Sequence, residues 1–171
     1  TTHDAELATT ARSIANYGST EKYVHLYQGI NSRLDELQAT VLSIKLSRLD
    51  KDNARRREIA QSYKENIDWQ RLGLQSTVHT DHINEANVFH IFPVFSPRRN
   101  ELQRYLTQCG ISTQIHYPIP PHRQEALKKE YGMQQLPITE RIHNEELSLP
   151  ISPLLTNEET EHIINRINAF I

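Results

Sequence analysis

The sequence lacks the features of membrane, secreted and strongly charged proteins. No run of apolar residues approaches the roughly 20 needed to span a bilayer, and the first residues do not show the basic and then apolar layout of a signal peptide. The single cysteine, Cys109, excludes an internal disulfide. A formal net charge of -2 gives no electrostatic reason to expect nucleic acid or an anionic membrane as a partner. These absences predict a soluble cytoplasmic protein.

Several catalytic and ligand-binding patterns are also missing. The sequence has no Gly-rich phosphate loop, no nucleophile elbow and no Cys/His catalytic pattern. His79 and His82 lie three residues apart in a polar stretch, but no cysteine is near and no helical HExxH pattern surrounds them, so a metal site is not predicted. The run "ARRRE" has mixed charge and predicts a solvated helix face, not a nucleic-acid site.

Helical periodicity dominates the first part of the chain. A short helix is predicted over residues 4–15, capped by Asp4, and residues 16–29 predict a loop. No Pro or Gly interrupts residues 34–68. Apolar residues recur there at helical spacing: Leu34, Leu37, Val41, Ile44. A helix of about 35 residues would be about 50 Å long, so we expect it to bend or to bridge two domains near residues 50–57.

The remainder of the chain alternates strand and helix patterns. Strands are predicted for "NVFHIFPVFS", which is rich in β-branched and aromatic residues, and for "ISTQIHYP" and "SLPIS". Helices are predicted for "RRNELQRYLTQCG", closed by Gly110, for "RQEALKKEYG" and "ITERIHNEEL", and for "TNEETEHIINRINAFI" with a capping box of Thr156 and Glu159. This order predicts a small α/β sandwich domain at residues 71–171, after a first region at residues 1–70.

The segment "GINSRLDE" precedes the long helical pattern and has the residues of an anion site. Ser32 and Asp35 have capping-box spacing, which predicts that the helix begins near Arg33. Helix N-termini favour negative charge. Asn31 adds an amide donor, Arg33 adds a guanidinium, and Gly29 permits close approach of a backbone or a ligand. Alternatively, Ser32 is an ordinary cap, Asn31 a turn residue and Arg33 a solvated charge.

A second unusual segment, "IHYPIPPHRQ", combines histidines with a rigid turn. Its prolines fix their own φ angles and restrict the residues before them. His116, Tyr117 and His122 are therefore held with little freedom, which suits the positioning of a substrate. A stiff loop with partly exposed aromatic side chains is the alternative interpretation.

Three ordered segments resemble one enzyme family. The segments "GINSRLDELQATVLSIKLSRLDKDNARRREIAQSY", "GISTQIHYPIPPHRQEAL" and "ITERIHNEELSLPISPLLTNEE" are similar, in this order, to blocks of the DegT/DnrJ/EryC1/StrS sugar aminotransferases. The combination of "NYGSTEKY", "HYPIPPH" and "ERIHNEELSLPIS" most resembles the branch that aminates C3 of dTDP-3-keto-6-deoxyhexoses. The resemblance covers nearly the whole chain.

The resemblance implies a fold-type I, pyridoxal 5'-phosphate-dependent enzyme of the α/β class that works as a homodimer with shared active sites. In such families a lysine forms a Schiff base with the cofactor, glutamate supplies the amino group, and a nucleotide-linked keto-sugar receives it. That lysine lies upstream of "DAELA", so this chain is expected to be a C-terminal portion, inactive alone and without catalytic residues of its own. Residues 1–70 would be the end of the large domain, the cofactor-contacting loop and the long connecting helix. Residues 71–171 would be the small domain.

The resemblance also implies roles for individual residues. Asn31 matches the Asn of a G-x-N-x-R loop that contacts the cofactor phosphate of the neighbouring subunit. Arg33 is a second cofactor-binding candidate or, alternatively, a structural ion-pair residue. Contacts with the sugar substrate or its pyrophosphate are implied for a further set: Tyr23, His25, His116, Tyr117, His122.

The predicted function is transfer of an amino group from glutamate to a dTDP-keto-6-deoxyhexose, in the biosynthesis of cell-surface polysaccharides such as lipopolysaccharide or of the cell wall. Two alternatives stay open. A family member with histidine in place of the lysine would be a sugar 3-dehydratase. A protein that kept only the small-domain fold would be a non-catalytic binding or dimerisation domain. The residues do not distinguish amination at C3 from amination at C4.

Overall fold

The structure, a computed structural model, describes residues 1–76 and 87–170. The chain divides into two compact units, Thr1–Leu49 and Asp50–Ile171. The expected boundary followed residue 70, whereas the structure places it after Leu49. The reason is that the intervening helix contributes Ile59, Ala60 and Tyr63 to the core of the second unit.

The first unit contains two helices and a short hairpin: α1 (Ala5–Ala15), β1 (Ser19–Glu21), β2 (Val24–His25), α2 (Glu36–Leu46). Asp4 caps α1 as predicted, because its carboxylate accepts a hydrogen bond from the Leu7 N–H at 3.0 Å. The prediction of an unstructured loop after α1 is wrong in one respect, since β1 and β2 pair there as an antiparallel hairpin.

The predicted long helix is interrupted. α2 ends at Leu46, and the next helix, α3 (Leu49–Asn66), begins after a short break. At this break the Ser47 hydroxyl donates a hydrogen bond to the Ile44 carbonyl at 2.8 Å. Such side-chain bonds compete with the regular helix ladder. The interruption lies at residues 47–48, just before the predicted position at residues 50–57.

The second unit packs helices around a two-stranded sheet. After α3 its elements are α4 (Trp69–Leu72), β3 (Phe92–Phe95), α5 (Arg99–Gln108), a 3₁₀ turn (Pro121–Arg123), α6 (Glu125–Tyr131), α7 (Pro137–Glu145), β4 (Glu146–Leu149), α8 (Asn157–Asn168). β3 and β4 are antiparallel, with Phe92 opposite Leu149. A main-chain bridge between Gln114 and Ser148 extends the pairing on the other side of β4.

The predicted strands are longer than the observed ones or displaced from them. In "NVFHIFPVFS" only Phe92–Phe95 forms a strand, and β4 starts at Glu146, before the predicted "SLPIS". The predicted strand "ISTQIHYP" is wrong, because within the described part of the chain Gln114 alone pairs with β4. The prolines that follow lack an N–H group, so the main-chain pairing cannot continue through them.

Two predicted helix ends are confirmed. α5 is followed by Gly110 with φ +79°, in the left-handed region that glycine adopts without strain. Before α8, the Thr156 hydroxyl accepts from the Glu159 N–H at 3.1 Å, and the Glu159 carboxylate accepts from the Thr156 N–H at 2.8 Å. The capping box therefore forms as predicted.

The core of the second unit is formed by α3, α5, α8 and the sheet. Its largest fully buried side chains are Tyr63, Phe92, Ile59, Leu102, Leu106, Leu147, Ile167, Val94. The ring of Tyr63 meets that of Phe92 edge-on at 5.1 Å, and its hydroxyl donates to the Pro150 carbonyl at 2.7 Å. Burial raises the pKa of Tyr63. These contacts hold β4 and the residues after it against the core.

The apolar stripes of α2 lie exposed in this chain. They comprise Leu37, Val41, Leu42, Ile44, Leu46, and Leu34 just before the helix is exposed as well. Across residues 1–76 and 87–170, every helix is too short or too polar to span a bilayer.

Candidate functional site

The loop that precedes α2 is held against the end of α1. The last carbonyl groups of a helix have no partners within it. The Ile14 carbonyl accepts a hydrogen bond from the Ile30 N–H at 2.8 Å. The Ala15 carbonyl accepts one from the Ser32 N–H at 2.9 Å. The main chain is thereby fixed on both sides of Asn31.

Two glycines allow this loop to lie so close to the helix end. A Cβ atom added at Gly29 would lie 2.0 Å from the Gly18 nitrogen, and one added at Gly18 would lie 1.7 Å from the Tyr27 carbonyl oxygen. Gly18 also has φ +76°, a conformation that favours glycine. The close approach predicted at Gly29 therefore exists, and the group that approaches is backbone.

Asn31 and Arg33 present hydrogen-bond donors on this loop. The Arg33 Nε–H donates to Asn31 Oδ1 at 3.3 Å, which engages one of the two lone pairs of the amide oxygen. Among the described residues, Asn31 Nδ2 and the terminal nitrogens of Arg33 have no hydrogen-bond or ion-pair partner. Both residues are exposed. The unpartnered N–H groups of an amide and a guanidinium suit an anion such as a phosphate group.

The predicted helix start at this loop is wrong. α2 begins at Glu36, and its N-cap Asp35 makes no side-chain capping bond. The Ser32 N–H is occupied by the Ala15 carbonyl, and the chain stays extended at Asp35 with φ -70° and ψ 150°. An anion at this loop would therefore be held by side chains of the loop, and not by the free N–H groups of a helix.

Tyr23 and His25 lie on the hairpin of the same unit. His25 Nδ1 lies 2.9 Å from the Tyr17 carbonyl oxygen, to which it donates. The Tyr17 N–H in turn donates to the Ile30 carbonyl at 3.0 Å, so Tyr17 joins His25 to the loop that carries Asn31. Tyr23 lies at the hairpin turn with φ +70°, and 84% of the residue is exposed.

His116 and Tyr117 lie in the second unit, and a cis peptide bond joins them. His116 lines a cleft of about 360 Å³ together with residues such as His90 and Gln114. Tyr117 is not part of the cleft wall and is 66% exposed. Its carbonyl oxygen lies 2.5 Å from Nδ1 of His143, which fixes its main chain to α7. His116 therefore lines the cleft, whereas Tyr117 lies outside the cleft wall.

His122 is buried, unlike His116 and Tyr117. It is 5% exposed, and its Nε2 lies 3.0 Å from Glu140 Oε1. The contact with His122 and a second one from Arg123, at 2.9 Å, lower the pKa of Glu140 to about 2. His122 thus fastens the 3₁₀ turn to α7. Its predicted contact with a substrate stays a prediction, which this burial does not favour.

Sequence reasoning missed two polar residues in the buried strand β4. Glu146 and Ser148 are only 3% and 5% exposed. They alternate with leucines, so they share one face of the strand. The signal was present in "ELSL", where two polar residues occur at a spacing of two. Such alternation usually indicates that the polar residues face solvent. The sequence therefore did not indicate that Glu146 and Ser148 are buried.

Metal ligands are not clustered in the part of the chain that the structure describes. Over residues 1–76 and 87–170, no group of three or more His, Cys, Asp or Glu residues could hold a metal ion. His79 and His82 lie outside the described residues. Cys109 is a free thiol at the end of α5.

The sequence matches the DegT/DnrJ/EryC1/StrS aminotransferase family over residues 1–168. It is 49% identical over 170 residues to the dTDP-3-amino-3,6-dideoxy-alpha-D-galactopyranose transaminase of Aneurinibacillus thermoaerophilus. That alignment covers 99% of this chain and 46% of the relative. The chain therefore spans about half the length of this relative.

Solved structures of sugar aminotransferases share the fold. The structure of S. venezuelae DesV in complex with a ketimine intermediate matches with a TM-score of 0.89 and 39% identity, over 98% of this chain and 45% of DesV. NtdA of Bacillus subtilis with bound cofactor PMP matches with a TM-score of 0.86 and 27% identity, over 97% of this chain and 40% of NtdA. These matches confirm the predicted α/β fold of fold-type I aminotransferases.

The cofactor assignment follows from the same comparisons. Pyridoxal phosphate is the cofactor of this family, and the donors of Asn31 and Arg33 fit its phosphate group. The predicted resemblance is confirmed over nearly the full length of the sequence. The chain belongs to the DegT/DnrJ/EryC1/StrS aminotransferase family.

Proposed function

We propose that this chain is part of an aminotransferase that moves an amino group from glutamate to a dTDP-linked keto-6-deoxyhexose. The observation that carries the proposal is the 49% identity, over 170 residues, to a transaminase named for a dTDP-3-amino-3,6-dideoxyhexose. Because the chain spans about half of that relative, the activity is proposed for the complete protein. The amino sugar would serve the synthesis of cell-surface polysaccharides.

The cofactor phosphate is assigned to the loop of Asn31 and Arg33. The loop offers amide and guanidinium donors, and its main chain is fixed to the end of α1. These residues would bind and orient the cofactor through its phosphate. When bound, pyridoxal phosphate supplies an electron sink for the carbon atom that loses or gains the amino group.

A homodimer with shared active sites is proposed for the complete protein. The phosphate-binding loop and α2 both lie at the surface of this chain, and Leu37 on α2 is 84% exposed. Apolar surface of this extent is stabilised when another chain or domain covers it. The loop would then reach the cofactor of the neighbouring subunit.

Sugar contacts are proposed for residues of the first unit and, separately, for residues of the second unit. Tyr23 and His25 are accessible on the hairpin and are proposed to contact the sugar or its pyrophosphate. His116 lines the cleft of the second unit and is proposed to contact the sugar ring. Tyr117 is exposed outside the cleft wall and is proposed to contact the substrate from there.

The phosphate assignment is tested by Asn31→Ala in the complete protein. Losing a hydrogen bond to a charged group costs about 1.5–3 kcal/mol, so we expect cofactor affinity to fall about 10-fold to 100-fold. Equilibrium dialysis with absorbance detection measures it. Asn144→Ala, at an exposed position on α7, is the matched control. Unchanged cofactor affinity in Asn31→Ala would contradict the assignment.

The reaction is tested with the complete protein, glutamate and a dTDP-3-keto-6-deoxyhexose. Glutamate should remove the visible absorption band of the bound cofactor, and the keto-sugar should restore it. Mass spectrometry should then detect the amino sugar nucleotide. A dehydrated sugar would favour the 3-dehydratase instead. A colourless, inert protein would favour a non-catalytic binding domain.

A further inference from the structure

Three polar side chains form a hydrogen-bonded relay beside the cleft: Glu146, Ser148, His116. The Ser148 hydroxyl donates to Glu146 Oε1 at 2.6 Å. His116 Nδ1 lies 2.8 Å from the Ser148 Oγ atom. The second oxygen, Glu146 Oε2, accepts from the main-chain N–H of His116 at 2.6 Å. Both carboxylate oxygens are therefore engaged, and the main chain and ring of His116 are tied to the same carboxylate.

Strand register explains why these side chains meet. The Ser148 N–H donates to the Gln114 carbonyl at 2.7 Å in an antiparallel bridge. Because the two segments are antiparallel, His116, two residues after Gln114, comes opposite Glu146, two residues before Ser148. The two side chains therefore lie on the same face. β4 is buried along its length and paired with β3 on its other side. The relay is therefore built on a rigid strand.

The hydrogen atoms of the relay follow from its chemistry. An ionised carboxylate only accepts hydrogen bonds, so Ser148 gives its single hydroxyl hydrogen to Glu146. The Ser148 oxygen then acts as acceptor toward His116, which requires a hydrogen on Nδ1. In the neutral ring, Nε2 is left as an acceptor. Among the described residues, Nε2 of His116 has no hydrogen-bond partner.

The cleft next to this ring suits an uncharged, hydroxyl-bearing ligand. Its polar lining includes the uncharged side chains of Ser112 and Gln114, and its apolar lining includes Leu149 and Ile151. None of the described lining residues is Asp, Glu, Lys or Arg. Hydroxyl groups can hydrogen-bond to the polar wall, while the C–H face of a sugar ring packs on the apolar wall.

We propose that Glu146, acting through Ser148, fixes the tautomer of His116 so that its Nε2 accepts a hydrogen bond from a hydroxyl group of the sugar. Glu146 is thus a positioning residue. The identity of the ligand as a sugar rests on the proposed function, whereas the tautomer rests on the contacts of the relay alone.

Glu146→Gln tests the relay because it inverts the direction of the hydrogen bonds. The main-chain N–H of His116 requires an acceptor, so the amide oxygen of the glutamine faces it. The amide NH₂ group then faces Ser148, which becomes the acceptor there and donates to His116 Nδ1. The ring hydrogen moves to Nε2. The variant keeps the size of the side chain and the number of hydrogen bonds.

Long-range proton–nitrogen correlation NMR of the complete protein, with isotope-labelled histidine, reads the tautomer without substrate. A His116→Gln variant identifies the signals of His116 by their absence. We expect Nδ1–H in the wild type and Nε2–H in Glu146→Gln.

Ser148→Ala removes the hydroxyl group that joins Glu146 to His116, and it should abolish the preference for Nδ1–H. Ser152→Ala is the matched serine control and should keep that preference. The Ser152 hydroxyl accepts a hydrogen bond from the Leu154 N–H at 3.2 Å, and Ser152 lies outside the cleft lining.

The outcomes separate this proposal from the proposed function. A wild-type ring that carries its hydrogen on Nε2, or a Glu146→Gln ring that keeps it on Nδ1, would overturn the relay. With sugar present, Glu146→Gln should raise the KM for the keto-sugar nucleotide about tenfold, the effect of one hydrogen bond, and should lower kcat less. An unchanged KM would overturn the sugar contact. If the complete protein transfers no amino group, the proposed function fails, yet the NMR experiment still decides the relay.

Discussion

Removing the hydroxyl group of Tyr63 tests how the residues after β4 are supported. Tyr63 on α3 is fully buried, and its hydroxyl donates to the Pro150 carbonyl at 2.7 Å. Tyr63→Phe keeps the ring against Phe92 and removes only this donor. The Pro150 residue is half-buried, so the lost hydrogen bond should cost about 1.5 kcal/mol of unfolding free energy.

The single tryptophan makes this change measurable in one part of the chain. Trp69 packs 6.4 Å from the ring of Phe92, so its fluorescence reports urea unfolding of the second unit. Tyr131→Phe is the matched control, because Tyr131 is 41% exposed on α6. We expect the control to change stability by less than about 0.5 kcal/mol.

The unfolding free energies of wild type and Tyr63→Phe should respond differently to alkaline pH. Burial raises the pKa of Tyr63 above its ordinary value of 10.0. A raised pKa in the folded state gives a stabilisation that is complete below 10.0 and is lost as the pH rises above it. Wild type should therefore lose about 1.4 kcal/mol per pH unit relative to Tyr63→Phe. The two stabilities should become equal about one pH unit above the ordinary value. A difference that stays constant through this range would refute the reasoning.

Three further changes address other parts of the second unit, each measured by the same urea unfolding. Leu106→Ala, at a fully buried position, should cost about 2–5 kcal/mol, whereas Leu154→Ala, at an 87% exposed position, should cost less than about 0.5 kcal/mol. Thr156→Ala removes the capping box of α8 and should cost about 1 kcal/mol, and Thr156→Ser should recover most of it. Equal losses of stability in Thr156→Ala and Thr156→Ser would contradict the capping role of Thr156. Glu140 has a pKa lowered from 4.5 to about 2, so its stabilising contribution is present above 4.5 and is lost as the pH falls through about 2. The stability gap between wild type and Glu140→Gln should therefore narrow on acidification, and a constant gap would contradict the assigned contacts.

Helix ends could be predicted from sequence where the deciding contacts are local. Asp4 and the Thr156–Glu159 pair bond to main-chain groups three residues away, so the pattern contains the whole interaction. The interruption at Ser47 could not be predicted in this way. Neither Gly nor Pro marks it, and the apolar residues on either side keep helical spacing.

Segments whose conformation depends on distant partners were predicted less well. Ser32 has capping spacing, yet its N–H is occupied by the Ala15 carbonyl, so the helix starts later than the local pattern indicates. In "ISTQIHYP" the composition favours a strand, but pairing requires a partner, and the His116 N–H donates to the Glu146 carboxylate and not to a main-chain carbonyl of β4. Local propensity is overridden in both places by contacts between separate segments.

The chemistry of the candidate site was easier to predict than its burial. Asn31 and Arg33 are unusual donors ahead of a helical pattern, and the structure leaves their donors accessible. The prolines restrict Tyr117 and His122 alike, so sequence could not show that one is 66% exposed and the other is 5% exposed. That difference arises from α7, whose Glu140 binds His122 from a separate segment.

In both units, a neighbour without an evident functional signature fixes the side chain that is offered to a ligand. Gly18 and Gly29 let two backbone segments touch, and a Cβ atom at either would push the loop of Asn31 away from α1. Glu146, at the end of a segment that the sequence predicts as a helix, contacts the main chain of His116 directly and its ring through Ser148. The residues that touch a ligand are therefore recognisable by their chemistry, while the residues that position them become evident only when the strand register and the backbone contacts are known.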